Sequence, residues 1–106
     1  MAKVRLAAAS EVPEGVLTMR EHEGRQVLLT RVEGRVYAMN DTCTHRGAPL
    51  HTGELGTAGS PYLLTCPFHA AQFDVTTGKV YPDTPWATDT ESYPVEVIGE
   101  DVFVEL

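Results

Sequence analysis

Apolar and polar residues alternate with a period of two along most of the chain, and glycine or proline interrupts the alternation between runs. Gln26-Val27-Leu28-Leu29-Thr30-Arg31-Val32 is rich in branched side chains, Glu33-Gly34 follows, and Arg35-Val36-Tyr37-Ala38-Met39 resumes the pattern. Two such runs joined by two residues predict a hairpin. Val36 and Ala38 fall on one face of its second strand and Tyr37 and Met39 on the other. Tyr62–Thr65 and Gln72–Val75 are further strand candidates, and Thr76-Thr77-Gly78 turns the latter into Lys79-Val80-Tyr81. Tyr93–Ile98, a turn at Gly99-Glu100 and Asp101–Leu106 form a closing pair, in which Val102 and Val104 alternate with Phe103 and Glu105. No window carries the i, i+3, i+4, i+7 apolar spacing of a long helix. The expectation is an all-β fold, a small antiparallel sandwich or barrel of short strands.

Two stretches depart from this pattern, residues 41–61 and the proline-rich run Tyr81-Pro82-Asp83-Thr84-Pro85-Trp86. Long irregular segments in a compact domain are usually functional. At 106 residues the chain reads as a single domain spanning 1–106, without repeats, linkers or low-complexity tracts.

Fifteen acidic residues against eight basic ones give a formal charge of −7. That balance argues against a sequence-independent grip on nucleic acid and against docking on an anionic membrane, both of which need clustered cations. No run approaches the roughly 18 apolar residues of a spanning helix. The apolar part of the N-terminal segment, Leu6 to Ala9, is short of the approximately seven residues of a signal-peptide core. The expectation is a soluble, cytoplasmic and monomeric protein with no nucleic-acid or membrane partner.

The chemistry concentrates in Cys43-Thr44-His45 and Cys66-Pro67-Phe68-His69. Each segment offers one thiolate and one imidazole, a donor set that suits zinc, copper or iron–sulfur centres. In extended backbone, residues i and i+2 point to the same side about 6.6 Å apart, an awkward span for closing on one ion. Single-ion chelates usually use gaps of two to four residues. The wider spacing suits a centre with two metal atoms, the cysteines taking one and the histidines the other. His22, between Glu21 and Glu23, reads as a solvated surface residue, and His51 as a residue with at most a minor role beside the centre.

With its flanking residues, Cys43-Thr44-His45-Arg46-Gly47-Ala48-Pro49-Leu50 and Cys66-Pro67-Phe68-His69-Ala70-Ala71-Gln72-Phe73-Asp74-Val75-Thr76-Thr77-Gly78, this pattern resembles the Rieske family, and its soluble low-potential ferredoxins in particular. The resemblance covers nearly the whole chain. It implies one [2Fe–2S] cluster held by Cys43, His45, Cys66 and His69, in a cluster-binding subdomain of two ligand loops inserted in the β fold at about 41–86. It further implies a one-electron carrier rather than an enzyme, reduced by a reductase and oxidised by an oxygenase.

Quinol-oxidising members of the family carry an extra cysteine in each ligand loop, where this chain has Ala48 and Phe68. They also carry a serine and a tyrosine that hydrogen-bond the cluster, where this chain has Ala71 and Phe73. Fewer donors stabilise the reduced state less, which implies a low potential. Ala70, where glycine is common, and a longer segment around Thr57–Pro61 are departures from the family pattern. Leu50, Phe68, Pro49 and Pro85 are candidates for an apolar shell, Arg46 for a docking or loop-orienting role, and Trp86 for the core. The other readings are the small subunit of a nitrite reductase-like complex and a structural zinc-binding interaction module.

Overall fold

The computed structural model describes residues 3–42, 49–56, 60–66, 71–80 and 89–106. Among the described residues ten strands run in chain order: β1 (Lys3–Ala8), β2 (Thr18–His22), β3 (Arg25–Val32), β4 (Arg35–Asn40), β5 (Glu54–Leu55), β6 (Leu63–Thr65), β7 (Gln72–Asp74), β8 (Ser92–Tyr93), β9 (Val95–Ile98) and β10 (Asp101–Glu105). They form three antiparallel sheets, ordered β1-β10-β9, β2-β3-β4-β8 and β5-β6-β7. The all-β antiparallel expectation holds. No helix among the described residues is long and apolar enough to cross a membrane.

The β2–β3–β4–β8 sheet is covered on both faces. Val27, Leu29, Val36 and Ala38 pack with Ala7, Val12, Val102 and Val104 in one core. Leu28, Val32 and Met39 pack with Leu50, Leu64, Cys66, Ala71, Phe73 and Val75 in the other. Double-sided burial accounts for the unbroken apolar run Val27-Leu28-Leu29, since a strand covered on both faces has no polar side to alternate with. Both hairpins of this sheet turn on a Glu-Gly pair, Glu23-Gly24 with φ of 49° and 82° and Glu33-Gly34 with φ of 51° and 80°. Two successive positive φ values are the requirement of a type I′ turn, whose twist matches that of the strands it joins.

Besides β2 and β5, which the sequence pattern does not predict, three further elements differ from the sequence expectation. The run Tyr93–Ile98 is two strands: Tyr93 pairs with Ala38, whereas Val95 pairs with Val104 in a different sheet. Pro94, which has no N–H for a ladder, lies where the chain changes sheets. Lys79–Tyr81 contributes only an isolated bridge between Val80 and Phe73, and Tyr81 lies outside the described residues. Conversely, Lys3–Ala8 is a strand against β10, with a bulge between Arg5 and Ala7 that pairs Val4 with Val104 and Ala7 with Val102.

The β5-β6-β7 sheet is tied to its neighbour by Tyr62, whose ring meets Tyr37 edge-on at 6.3 Å. Its hydroxyl donates to Glu33 Oε1 at 2.9 Å, a bond that holds the phenol above its ordinary pKa range. Gly53 sets the position of β5. Its φ of −82° and ψ of −160° are open to any residue, but a Cβ there would lie 2.1 Å from the Thr65 carbonyl oxygen. Alanine must therefore push two backbones apart. Gly53→Ala is expected to destabilise the fold by about 1–3 kcal/mol, the usual range for overpacking. Thermal unfolding of the two proteins checks this, and equal midpoints would contradict the close approach.

Candidate metal centre

The strand ends determine where the two Cys/His segments leave and rejoin the fold. β4 ends at Asn40, whose Oδ1 accepts the Thr42 N–H at 2.9 Å. Asp41 donates its N–H to Gln26 O at 3.0 Å and accepts the Leu50 N–H at 2.6 Å on its carbonyl, while Thr42 and Pro49 form an antiparallel bridge. The ends of the Cys43–Ala48 segment are thus paired. Both Asp41 carboxylate oxygens are also engaged, Oδ1 by the His51 N–H at 2.8 Å and Oδ2 by His51 Nδ1 at 2.7 Å. Asp41 is fully buried and the His51 side chain is 31% exposed.

The second segment is closed in the same way. Thr65 pairs with Gln72 at the end of the β6–β7 ladder, and one step further the Cys66 N–H donates to Ala71 O at 2.7 Å. Cys66 and Ala71 are therefore cross-strand neighbours. With a period of two, Leu64 and Cys66 share a face with Ala71 and Phe73. All four are buried, Cys66 at 2% exposure, while Thr65, Gln72 and Asp74 on the opposite face are partly exposed.

The two closures are adjacent. After Leu50 the chain makes a single 3-10 turn, Leu50–Thr52, then Gly53 lies against the Thr65 carbonyl and Glu54 pairs with Thr65. The return of the first segment therefore runs beside the departure of the second. Leu50 and Cys66 belong to the same core. A third closure follows, in which the Val80 N–H donates to Asp89 Oδ1 at 2.8 Å and the Thr90 N–H to Gly78 O at 2.8 Å, bracketing residues 81–88.

Of the four expected ligands the structure describes Cys66 alone; Cys43, His45 and His69 lie outside the described residues. So do Arg46, Ala48, Phe68, Ala70, Pro85, Trp86 and Thr57–Gly59. Leu50, expected in an apolar shell, is fully buried in the core that contains Cys66, whereas Pro49 is exposed. His22 is on β2, with its side chain 34% exposed beside Glu23. Asp41 carries no sequence signal of metal chemistry; its only mark is a carboxylate placed where a strand pattern stops just before a ligand.

The residues present fit a thiolate-held metal. Cys66, buried beside Leu64, Ala71 and Phe73, offers its sulfur from a wall that limits water. The adjacency of the two closures brings the return of the segment that contains Cys43 and His45 in sequence beside the departure of the one that contains His69.

Comparison with known proteins agrees with this arrangement. Residues 2–104 match the family described as the Rieske [2Fe–2S] domain. The ferredoxin component of the naphthalene 1,2-dioxygenase system of Pseudomonas aeruginosa is 34% identical over 99 residues, which cover 93% of this chain and 90% of that one. The ferredoxin of carbazole 1,9a-dioxygenase from Nocardioides aromaticivorans IC177 superposes with a TM-score of 0.86 at 30% identity, over 98% of this chain and 97% of its own. A chain from a complex of reduced oxygenase and oxidized ferredoxin in carbazole 1,9a-dioxygenase superposes at 0.84 with 31% identity, covering 96% and 91%. Matched from end to end in sequence and in fold, this chain belongs to the Rieske [2Fe–2S] domain family.

Proposed function

We propose that the protein is a one-electron carrier of an oxygenase system, and that Cys43, His45, Cys66 and His69 hold its [2Fe–2S] cluster. The observation that carries this reading is the pairing of Cys66 with Ala71 beside the return of the Cys43–Ala48 segment, in a chain that matches ferredoxin components over almost its whole length. Once bound, such a cluster would supply one-electron chemistry. Cys43 and Cys66 would supply thiolates to one iron, and His45 and His69 imidazoles to the other. The apolar wall of Leu50, Leu64, Ala71 and Phe73 keeps water from the thiolate side. The histidine side is the entry and exit for electrons, with a reductase as donor and an oxygenase as acceptor.

The cluster-binding part is taken as about 41–86 within a single domain, 1–106, and the protein as a cytoplasmic monomer. The formal charge of −7 favours encounter with partners that present basic faces, because opposite fields steer association.

The potential follows from what faces the cysteine. Neither Ala71, just before β7, nor Phe73 on its Cys66 face has a hydroxyl to direct at a sulfur, so the charge added on reduction receives less stabilisation. Coulometric titration of the purified protein is expected to take one electron per chain, with a midpoint in the lower part of the roughly −150 to +300 mV span of Rieske centres. A colourless protein with one zinc and no electron uptake would instead establish the zinc module. Ala71→Ser places a hydroxyl at the cross-strand neighbour of Cys66. It is expected to raise the midpoint by on the order of 50 mV, about a tenfold change in a one-electron equilibrium. An unchanged midpoint in that variant would separate the potential from the β7 residues.

A further inference from the structure

Among the described residues Asp41 is the one buried charged side chain. Burial of a carboxylate is costly unless every oxygen finds a donor. Here a single residue ten positions later supplies both, the backbone N–H of His51 to Oδ1 at 2.8 Å and ring Nδ1 to Oδ2 at 2.7 Å. A carboxylate only accepts, so Nδ1 carries the proton of this bond. Together with the Leu50 N–H to Asp41 O bond and the Thr42–Pro49 bridge, this makes a closure of four contacts between residues 41–42 and 49–51.

Closure of the chain alone does not explain the side chains. The backbone contacts already fix the separation of the two ends, and a buried polar pair often contributes no more to stability than an apolar pair of the same volume. What the two-pronged grip adds is orientation. The Asp41 side chain cannot rotate about χ1 without losing both bonds, and His51 cannot move along the chain axis without losing the ring bond. Asp41 is two residues before Cys43 in sequence, so a fixed Asp41 anchors the chain next to the first proposed ligand.

We propose that Asp41 and His51 are positioning residues for the cluster: the His51 ring, locked onto the buried Asp41 carboxylate, holds the Cys43–His45 segment at the geometry its two ligands require. The proposal rests on the ligand assignment above. His51 is partly exposed, so its side chain can be changed without opening the core.

The test uses the full-length purified protein and three substitutions. His51→Ala removes the ring donor, His51→Leu removes it while keeping comparable bulk, and His51→Asn returns an amide donor near the place of Nδ1. Two properties are read: the rate at which excess EDTA bleaches the visible absorption of the cluster, and the EPR spectrum of the dithionite-reduced protein. His51→Ala and His51→Leu are expected to bleach at least tenfold faster than the parent and to give a broadened EPR signal. His51→Asn is expected to recover both properties towards the parent. Parent-like behaviour of the alanine and leucine variants would overturn the proposal, as would an asparagine variant no better than leucine. A parent that binds no cluster would overturn the ligand assignment and this proposal with it, whereas a cluster-bearing parent with indifferent variants would overturn the clasp alone.

Discussion

The contact between Gly53 and the Thr65 carbonyl governs the site, because it brings the return of one ligand segment against the departure of the other. A Cβ at position 53 would lie 2.1 Å from that oxygen, so only glycine allows the approach without displacement. From it follow the Glu54–Thr65 pair, the short β5–β6 ladder and the shared core of Leu50 and Cys66. The two Cys/His segments have twenty residues between them in sequence, so a shared site would need such a junction.

The rest of the molecule braces this junction. The β2-β3-β4-β8 sheet is packed on both faces, so the sheet that carries Cys66 rests on a layer that is itself supported from behind by β1 and β10. Interiors packed at crystal-like density deform little. A carrier benefits from that stiffness, because a ligand set that barely moves between oxidation states lets an electron pass without rearrangement of the protein. The same scaffold closes each ligand-bearing segment with backbone pairing at its base, Asp41 with Leu50 and Cys66 with Ala71.

What the sequence disclosed follows from how local each constraint is. The β3–β4 hairpin was legible because Glu33-Gly34 encodes its turn and the flanking runs are strongly apolar. The identical Glu23-Gly24 turn was weaker as a signal, since Thr18–His22 lies at a sheet edge with few buried residues to mark it. Tyr93–Ile98 looked like one strand because hydrophobicity is continuous across Pro94, whereas hydrogen bonding is not. The Cys/His pattern stands out in the sequence because metal chemistry restricts both residue type and spacing. The Asp41–His51 clasp does not, because it joins residues ten apart only after the chain has reversed, and an aspartate and a histidine at that separation carry no mark of their pairing. Gly53 was equally silent: its role depends on a carbonyl twelve residues away.

The central claim is that two histidines and two cysteines divide a [2Fe–2S] cluster between them. Pulsed EPR of the dithionite-reduced protein, read for nitrogen hyperfine couplings and repeated on His45→Cys and His69→Cys variants, tests it most directly. Two strongly coupled imidazole nitrogens are expected in the parent, with the loss of one in each variant that retains a cluster or of the whole signal where the cluster is lost. A reduced cluster with no strongly coupled nitrogen, or one whose two couplings survive both substitutions, would contradict it.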